Sequence, residues 1–179
     1  MKIKTTFISA KLMIMSLILC FCAVNANSQS AKEWFDRGLT AFENNDYQGL
    51  IELYENAAVL TPDLAEAYFF TGIAYEEWKQ DYKKAIECYE KAIELKPDFE
   101  VVYLFMGFAY SDWNGQYEKA IECFEKAIEL NPNYAEAYNE MGFAYGNSGN
   151  DKKAIECYKK AAELGDEDAK QWLLDNNIE

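Results

Sequence analysis

Ala85-Ile86-Glu87-Cys88-Tyr89-Glu90-Lys91-Ala92-Ile93-Glu94-Leu95 decides the fold, because the chain writes this stretch three times with few changes. It returns as Ala120-Ile121-Glu122-Cys123-Phe124-Glu125-Lys126-Ala127-Ile128-Glu129-Leu130 and as Ala154-Ile155-Glu156-Cys157-Tyr158-Lys159-Lys160-Ala161-Ala162-Glu163-Leu164, with starts 35 and 34 residues apart. A period of that size, filled with helix-forming residues, marks a stack of helical hairpins in which each unit buries its apolar face against its neighbours.

Each unit holds two apolar-periodic segments joined by a short polar turn. In the second, Tyr68, Gly72 and Tyr75 recur at helical spacing and share one face, and Ala85, Tyr89, Ala92 and Ile93 form the stripe of the helix that Asp81 opens. Asp63 with Glu66 is expected to form a capping box at the first helix, as is Ser30 with Glu33 one unit earlier. Lys96-Pro97-Asp98 stops the second helix, since proline cannot continue it. The third unit repeats the pattern with Tyr103, Gly107, Tyr110, Ala120, Phe124, Ala127 and Pro132. The fourth uses Tyr138, Gly142, Tyr145, Ala154, Tyr158 and Ala161, with Gly165 where the others have proline. The first is looser, with Trp34, Gly38, Ala41, Leu50, Tyr54, Ala57 and Pro62. A glycine in each unit costs helix propensity, about 1 kcal/mol relative to alanine, so its expected service is the close approach of the paired helix.

This pattern resembles the tetratricopeptide repeat (TPR) family over residues 31 to about 168. The resemblance implies an all-α, right-handed superhelical solenoid of about four helix-turn-helix units plus a C-terminal capping helix. The expected divisions are a leader over residues 1–26, a linker over 27–30, units over 31–64, 65–99, 100–134 and 135–165, and the cap with its tail over 166–179. In the second and third units one extra residue lies between glycine and alanine (Gly72 to Ala85, Gly107 to Ala120), which lengthens the turn where Trp78 and Trp113 sit. In the last helix, Ala169, Trp172 and Leu173 share a face suited to covering the final unit.

Charge and composition narrow the function. There are 31 acidic residues against 17 basic ones, a net charge of −14. Lys2, Lys4 and Lys11 precede residue 27, where no acid lies, so the remainder is more acidic still. Such a surface repels phosphate backbones and anionic membranes, and nucleic acid is not an expected partner. Histidine is absent, which removes the commonest general base and metal ligand. Cys88, Cys123 and Cys157 fill one slot in successive units. Stacked helices lie roughly 8–10 Å apart, beyond the ~7 Å Cα limit for a disulfide, so these thiols are expected to act as small buried apolar groups. The pair Glu76-Glu77 reads as surface charge on a solvated turn, and no P-loop or GxSxG elbow is present. No enzyme, cofactor or metal is expected.

The start of the chain has the form of an export signal. Three lysines precede Leu12 to Val24, an apolar run too short to span a membrane comfortably, and small residues follow. Cleavage is expected after Ala26 or Ser28, leaving no stable membrane insertion. Leu19 and Phe21 precede Cys20 and Cys22, which argues against lipidation. The expected location is the periplasm or the exterior of a bacterial cell.

The TPR resemblance further implies that the first helix of each pair lines a concave groove for a protein or peptide. Carried over by position, its lining is Phe35 and Leu39, Phe69 and Ile73, Leu104 and Phe108, and Asn139 and Phe143, with Glu66, Glu76, Asp112 and Glu136 as an acidic margin. The carboxylate clamp of some family members needs Lys, Arg and Asn at these slots, and only Asn139 is polar here. An apolar, acid-rimmed groove suits an amphipathic or basic-flanked segment. Two other readings stand beside it: a self-associating subunit of an envelope assembly, and a glycan binder using Trp78 and Trp113.

Overall fold

A computed structural model describes residues 37, 38, 40, 41, 44, 46–60 and 64–178. The leader, the Ser30–Glu33 pair, Asp63, Phe35 and Leu39 lie outside the described residues. Among the described residues the regular structure is entirely helical: α1 Tyr47–Leu60, α2 Ala65–Ala74, α3 Tyr82–Leu95, α4 Glu100–Asp112, α5 Tyr117–Leu130, α6 Ala135–Asn147, α7 Asp151–Glu163 and α8 Glu167–Asp175. The chain divides into two compact units within α1, one ending at Leu53 and the other running from Tyr54. In the first, Leu50, Ile51 and Leu53 are buried, and Asp46 Oδ1 accepts a hydrogen bond from the Gly49 amide at 2.9 Å.

The second unit is a solenoid. Each helix from α2 onward packs on the next in chain order, which is what a repeat that meets only its neighbours dictates. The glycines act as expected. A Cβ on Gly72 would stand 2.4 Å from Tyr89 Cε1, and one on Gly107 would stand 2.3 Å from Phe124 Cε1. In both hairpins an edge of an aromatic ring of the second helix presses on bare backbone of the first.

Proline and side-chain caps set the helix ends. α3 stops at Leu95 ahead of Pro97, and α5 at Leu130 ahead of Pro132. Asp81 accepts from the Lys84 amide at 3.2 Å, Asn150 from Lys153 at 3.2 Å, and Asp166 from Ala169 at 2.7 Å. The capping box expected at Asp63 and Glu66 lies partly outside the described residues, at Asp63. Leu64 is the N-cap of α2 and offers no side-chain cap, while the Glu66 carboxylate meets Lys96 Nζ at 3.4 Å from the end of α3.

The extra turn residue is absorbed in two different ways. In each hairpin the carbonyl of the motif tyrosine accepts the amide that precedes the second helix: Tyr75 from Asp81, Tyr110 from Gln116, and Tyr145 from Asn150. The first two loops are one residue longer. In the second hairpin the excess becomes a π-helical turn, Tyr75–Lys79, closed by Gln80 in a left-handed conformation (φ 50°). In the third, α4 ends normally and Asn114 and Gly115 take the positive φ values (59° and 65°). A lysine near the start of each second helix then covers the tyrosine ring: Lys84 on Tyr75 at 5.1 Å, Lys119 on Tyr110 at 5.1 Å and Lys153 on Tyr145 at 4.8 Å.

Cys123 and Cys157 are buried and Cys88 is half-buried, all three as free thiols. Burial pushes Cys123 up to about 12 and Cys157 up to about 11, so neither is a ready nucleophile.

The capping helix covers the last hairpin. Ala169 is fully buried, Leu173 packs on the Ala154–Tyr158–Ala161 cluster, and Trp172 stacks on Tyr158 with ring centroids 4.1 Å apart. Trp172→Ala is expected to cost about 2 kcal/mol, below the usual value for a fully buried tryptophan because this one is half-buried. Leu174→Ser, at a side chain 70% exposed on the same helix, should stay within about 0.5 kcal/mol. Urea unfolding of the pair checks both.

Candidate functional site

The slots assigned to the groove divide into closed and open positions. Phe69 and Leu104 are 0% exposed and Ile73 is 4% exposed, so none of the three is available to a partner. This corrects the expectation for them, and the reason is physical. From Ala65 to Ala74 only Glu66 and Tyr68 keep any appreciable exposure, because α2 is apolar around its whole circumference and is therefore buried around it. The Phe69 ring lies 5.5 Å from Phe99, the N-cap of α4, and 5.2 Å from Phe105 within α4. Here the slot joins one hairpin to the next.

Phe108, Asn139 and Phe143 are half-buried and keep an open side. Phe108 on α4 packs edge-on against Phe105 (5.7 Å) and Phe124 (5.9 Å). Phe143 on α6 meets the ring of Tyr117 at 6.4 Å in a T-shaped pair. Asn139 Nδ2 donates to Glu140 Oε1 at 3.3 Å. The accessible strip therefore crosses the third and fourth hairpins and is narrower than expected. Tyr117 belongs to it although position-by-position transfer passed over it. Its signal was present: Tyr82 and Tyr117 occupy the first position of α3 and α5, 35 residues apart.

The acidic margin is uneven. Glu66 is paired with Lys96. Glu136 is half-buried, and its charge adds to the burial that raises the Tyr134 phenol. Asp112 is exposed as a residue, and partial burial of its carboxyl raises it. Glu76 departs furthest from the surface charge expected of it. Its Oε2 accepts a hydrogen bond from the Tyr89 hydroxyl at 2.8 Å, and the residue is half-buried. Burial pushes it up to about 8, with Glu77 and Asp112 adding to the rise and the Tyr89 hydrogen bond opposing it. The same three carboxyls bear on Tyr82, whose phenol is raised first by burial and then by Asp112, Glu76 and Glu77.

Trp78 is 43% exposed, but Lys79 Nζ sits 4.5 Å over its ring, and Trp113 is half-buried. One face of the more open tryptophan is thus already occupied. Among the described residues no cluster of Cys, Asp and Glu is arranged to hold a metal ion, and no helix is long and apolar enough to cross a membrane.

Residues 79–112 and 114–149 match the family model described as TPR repeat, and residues 135–168 match the one described as tetratricopeptide repeat. No curated protein matches the chain. Among solved structures it is similar to a crystal structure of MamA, at 29% identity over 86% of this chain and 87% of that one, with a TM-score of 0.70. It is also similar to MamA from Desulfovibrio magneticus RS-1, at 27% identity over 74% of each chain and a TM-score of 0.67. A MamA RS-1 double mutant aligns at 25% identity over 82% of this chain and 80% of that one, with a TM-score of 0.68. The fold is a TPR solenoid, and TPR repeats together with these neighbours support a protein-interaction scaffold.

Proposed function

We propose that this protein is an exported, non-enzymatic scaffold that binds a protein or peptide along the strip of Phe108, Tyr117, Asn139 and Phe143. The observation that carries this reading is the open side left on those residues, while the equivalent slots of α2 are closed by packing. Asp112 and Glu118 are exposed nearby at the end of α4 and the start of α5, and the chain is strongly acidic. Charge complementarity then favours a segment with apolar anchors and basic flanks, in helical or extended form. The partly open rings would receive the anchors, and the carboxylates would steer the approach.

The test is anisotropy of labelled peptides that alternate leucine with lysine, against matched peptides with glutamate for lysine. The basic series is expected to bind the protein and to weaken severalfold as salt rises from about 50 to 200 mM. Tyr117→Ala with Phe143→Ser should lower affinity at least about tenfold, the equivalent of 1.4 kcal/mol, with circular dichroism unchanged. Equal binding of both peptide series, or an unaffected double variant, would remove the strip from consideration. Export rests on the lysine-led apolar run before residue 27. Expression of the full chain in a Gram-negative host should return a shortened product in the periplasmic fraction, and a full-length cytoplasmic product would contradict it.

A further inference from the structure

The third hairpin turns on Trp113-Asn114-Gly115-Gln116, which holds the one Asn-Gly pair in the sequence. Hydrogen bonds tie this turn on both sides. The Trp113 amide donates to the Ala109 carbonyl at 2.9 Å, the Gln116 amide to Tyr110 at 3.0 Å, and the Gln116 side chain to the Trp113 carbonyl at 2.9 Å. Between them, the Gly115 amide and the Asn114 side chain have no hydrogen-bond partner among the described residues. Asn114 is exposed, and both residues hold positive φ. Elsewhere in the solenoid asparagines are held. Asn147 Nδ2 donates to the Phe143 carbonyl, and the next amide, of Ser148, to Ala144. Asn150 Oδ1 accepts from the Lys153 amide. Asn176 Nδ2 donates to the Trp172 carbonyl, and the next amide, of Asn177, to Leu174.

We propose that Asn114 is a modification site, at which the folded protein converts its own side-chain amide to a carboxyl. The chemistry needs only water. The Gly115 nitrogen gives its proton to hydroxide and attacks Asn114 Cγ. A bond forms between them, the Cγ–Nδ2 bond breaks, and ammonia leaves with a proton taken from water. The resulting five-membered imide adds water at one of its two carbonyls. Opening at one gives aspartate; opening at the other gives isoaspartate, in which the backbone runs through the former side chain. Nothing is oxidised or reduced. Glycine permits the attack because no Cβ shields its nitrogen. The peptide between Asn114 and Gly115 can rotate into line without giving up a hydrogen bond.

The product places a new carboxylate beside Asp112 and Glu118, both exposed. The turn also bears on Tyr117, since a Cβ on Gly115 would stand 3.0 Å from its Cε2. An isoaspartate, which lengthens the backbone by one atom, would therefore displace the turn against that ring. The modification alters the rim of the strip over time, a consequence that rests on the strip as a binding surface; the reaction itself does not.

The full chain is incubated for days at about pH 8, folded and in urea, and digested for mass spectrometry, the basic pH favouring loss of the proton from the attacking nitrogen. Asn114 should gain the mass difference between an amide and a carboxyl, with aspartate and isoaspartate peptides eluting separately. The ratio of reaction at Asn114 to that at Asn147 is expected to be at least about tenfold larger in the folded chain than in urea, because Asn147 reacts only when its helix end opens. Asn114→Gly suits the positive φ and gives up no hydrogen bond, so it should fold and lack the acidic species that wild type accumulates on ion exchange. Asn114→Asp supplies the charge alone and should bind the leucine–lysine peptides about twofold more tightly than Asn114→Gly at low salt. Failure of that arm by itself counts against the strip. An unmodified Asn114 in the folded chain, a ratio no larger than in urea, or an acidic species that persists in Asn114→Gly would each overturn the modification site.

Discussion

Phe69→Ala should destabilise the solenoid by about 3–5 kcal/mol, the usual range for removing a fully buried phenylalanine. The side chain is 0% exposed and touches the rings of Phe70, Tyr89, Phe99 and Phe105, at centroid distances of 5.3, 6.1, 5.5 and 5.2 Å. Those four come from α2, α3 and both sides of the start of α4, so one truncation opens a cavity where two hairpins join. In a solenoid such damage is local before it is global. Amides of α2 to α4 should lose exchange protection first, and those of α7 and α8 last. A groove-lining phenylalanine behaves differently: its truncation weakens binding and leaves stability within about 1 kcal/mol. Urea unfolding followed by circular dichroism distinguishes the two. A cost under about 1 kcal/mol would mean that the ring cluster is not packed as described.

That contrast marks where the sequence stopped being informative. Period and composition were enough for the helices, the stacking order, the helix ends at Pro97 and Pro132, and the cap on Tyr158, because each follows from local chemistry repeated at fixed spacing. The groove was assigned by counting positions from a motif, and counting gives a helix face without saying what covers it. Phe69 and Phe143 hold equivalent faces. The first meets Phe99 and Phe105 of a following hairpin, while the second meets Tyr117 and keeps an open side. Within the helices the one difference is that α2 is apolar all round while α6 carries Asn139 and Glu140.

The turns show the same limit. The extra residue could be counted, and Asn114-Gly115 is a dipeptide suited to left-handed backbone. Gln80 carries no such mark, so the π-helical turn was not legible, and with it went the pairing of Glu76 with Tyr89. An acid beside an acid reads as surface. Only the change from Tyr89 to Phe124 at the ring slot hinted that one hairpin had something to hydrogen-bond and the next did not.

Gly107→Ala should destabilise by about 2 kcal/mol or more, although alanine is the better helix former by about 1 kcal/mol. The gain is outweighed because the new methyl would sit 2.3, 2.7 and 2.8 Å from Cε1, Cδ1 and Cζ of Phe124. That ring is itself 0% exposed, so relief requires α4 and α5 to move apart, and overpacking of this kind costs about 1–3 kcal/mol or more. The other glycines turn this into a graded test. At Gly142 the methyl would meet Tyr158 at 3.1 Å, and the two effects should nearly cancel. At Gly146 the nearest atom is the Ala154 Cβ at 3.8 Å, an ordinary contact, so Gly146→Ala should stabilise by up to about 1 kcal/mol. Combining Gly107→Ala with Phe124→Leu, which withdraws the ring atoms in conflict, should cost less than the sum of the two single changes. If Gly107→Ala proves neutral, or if all three alanine variants shift stability alike, the close approach of paired helices does not explain a glycine in every hairpin.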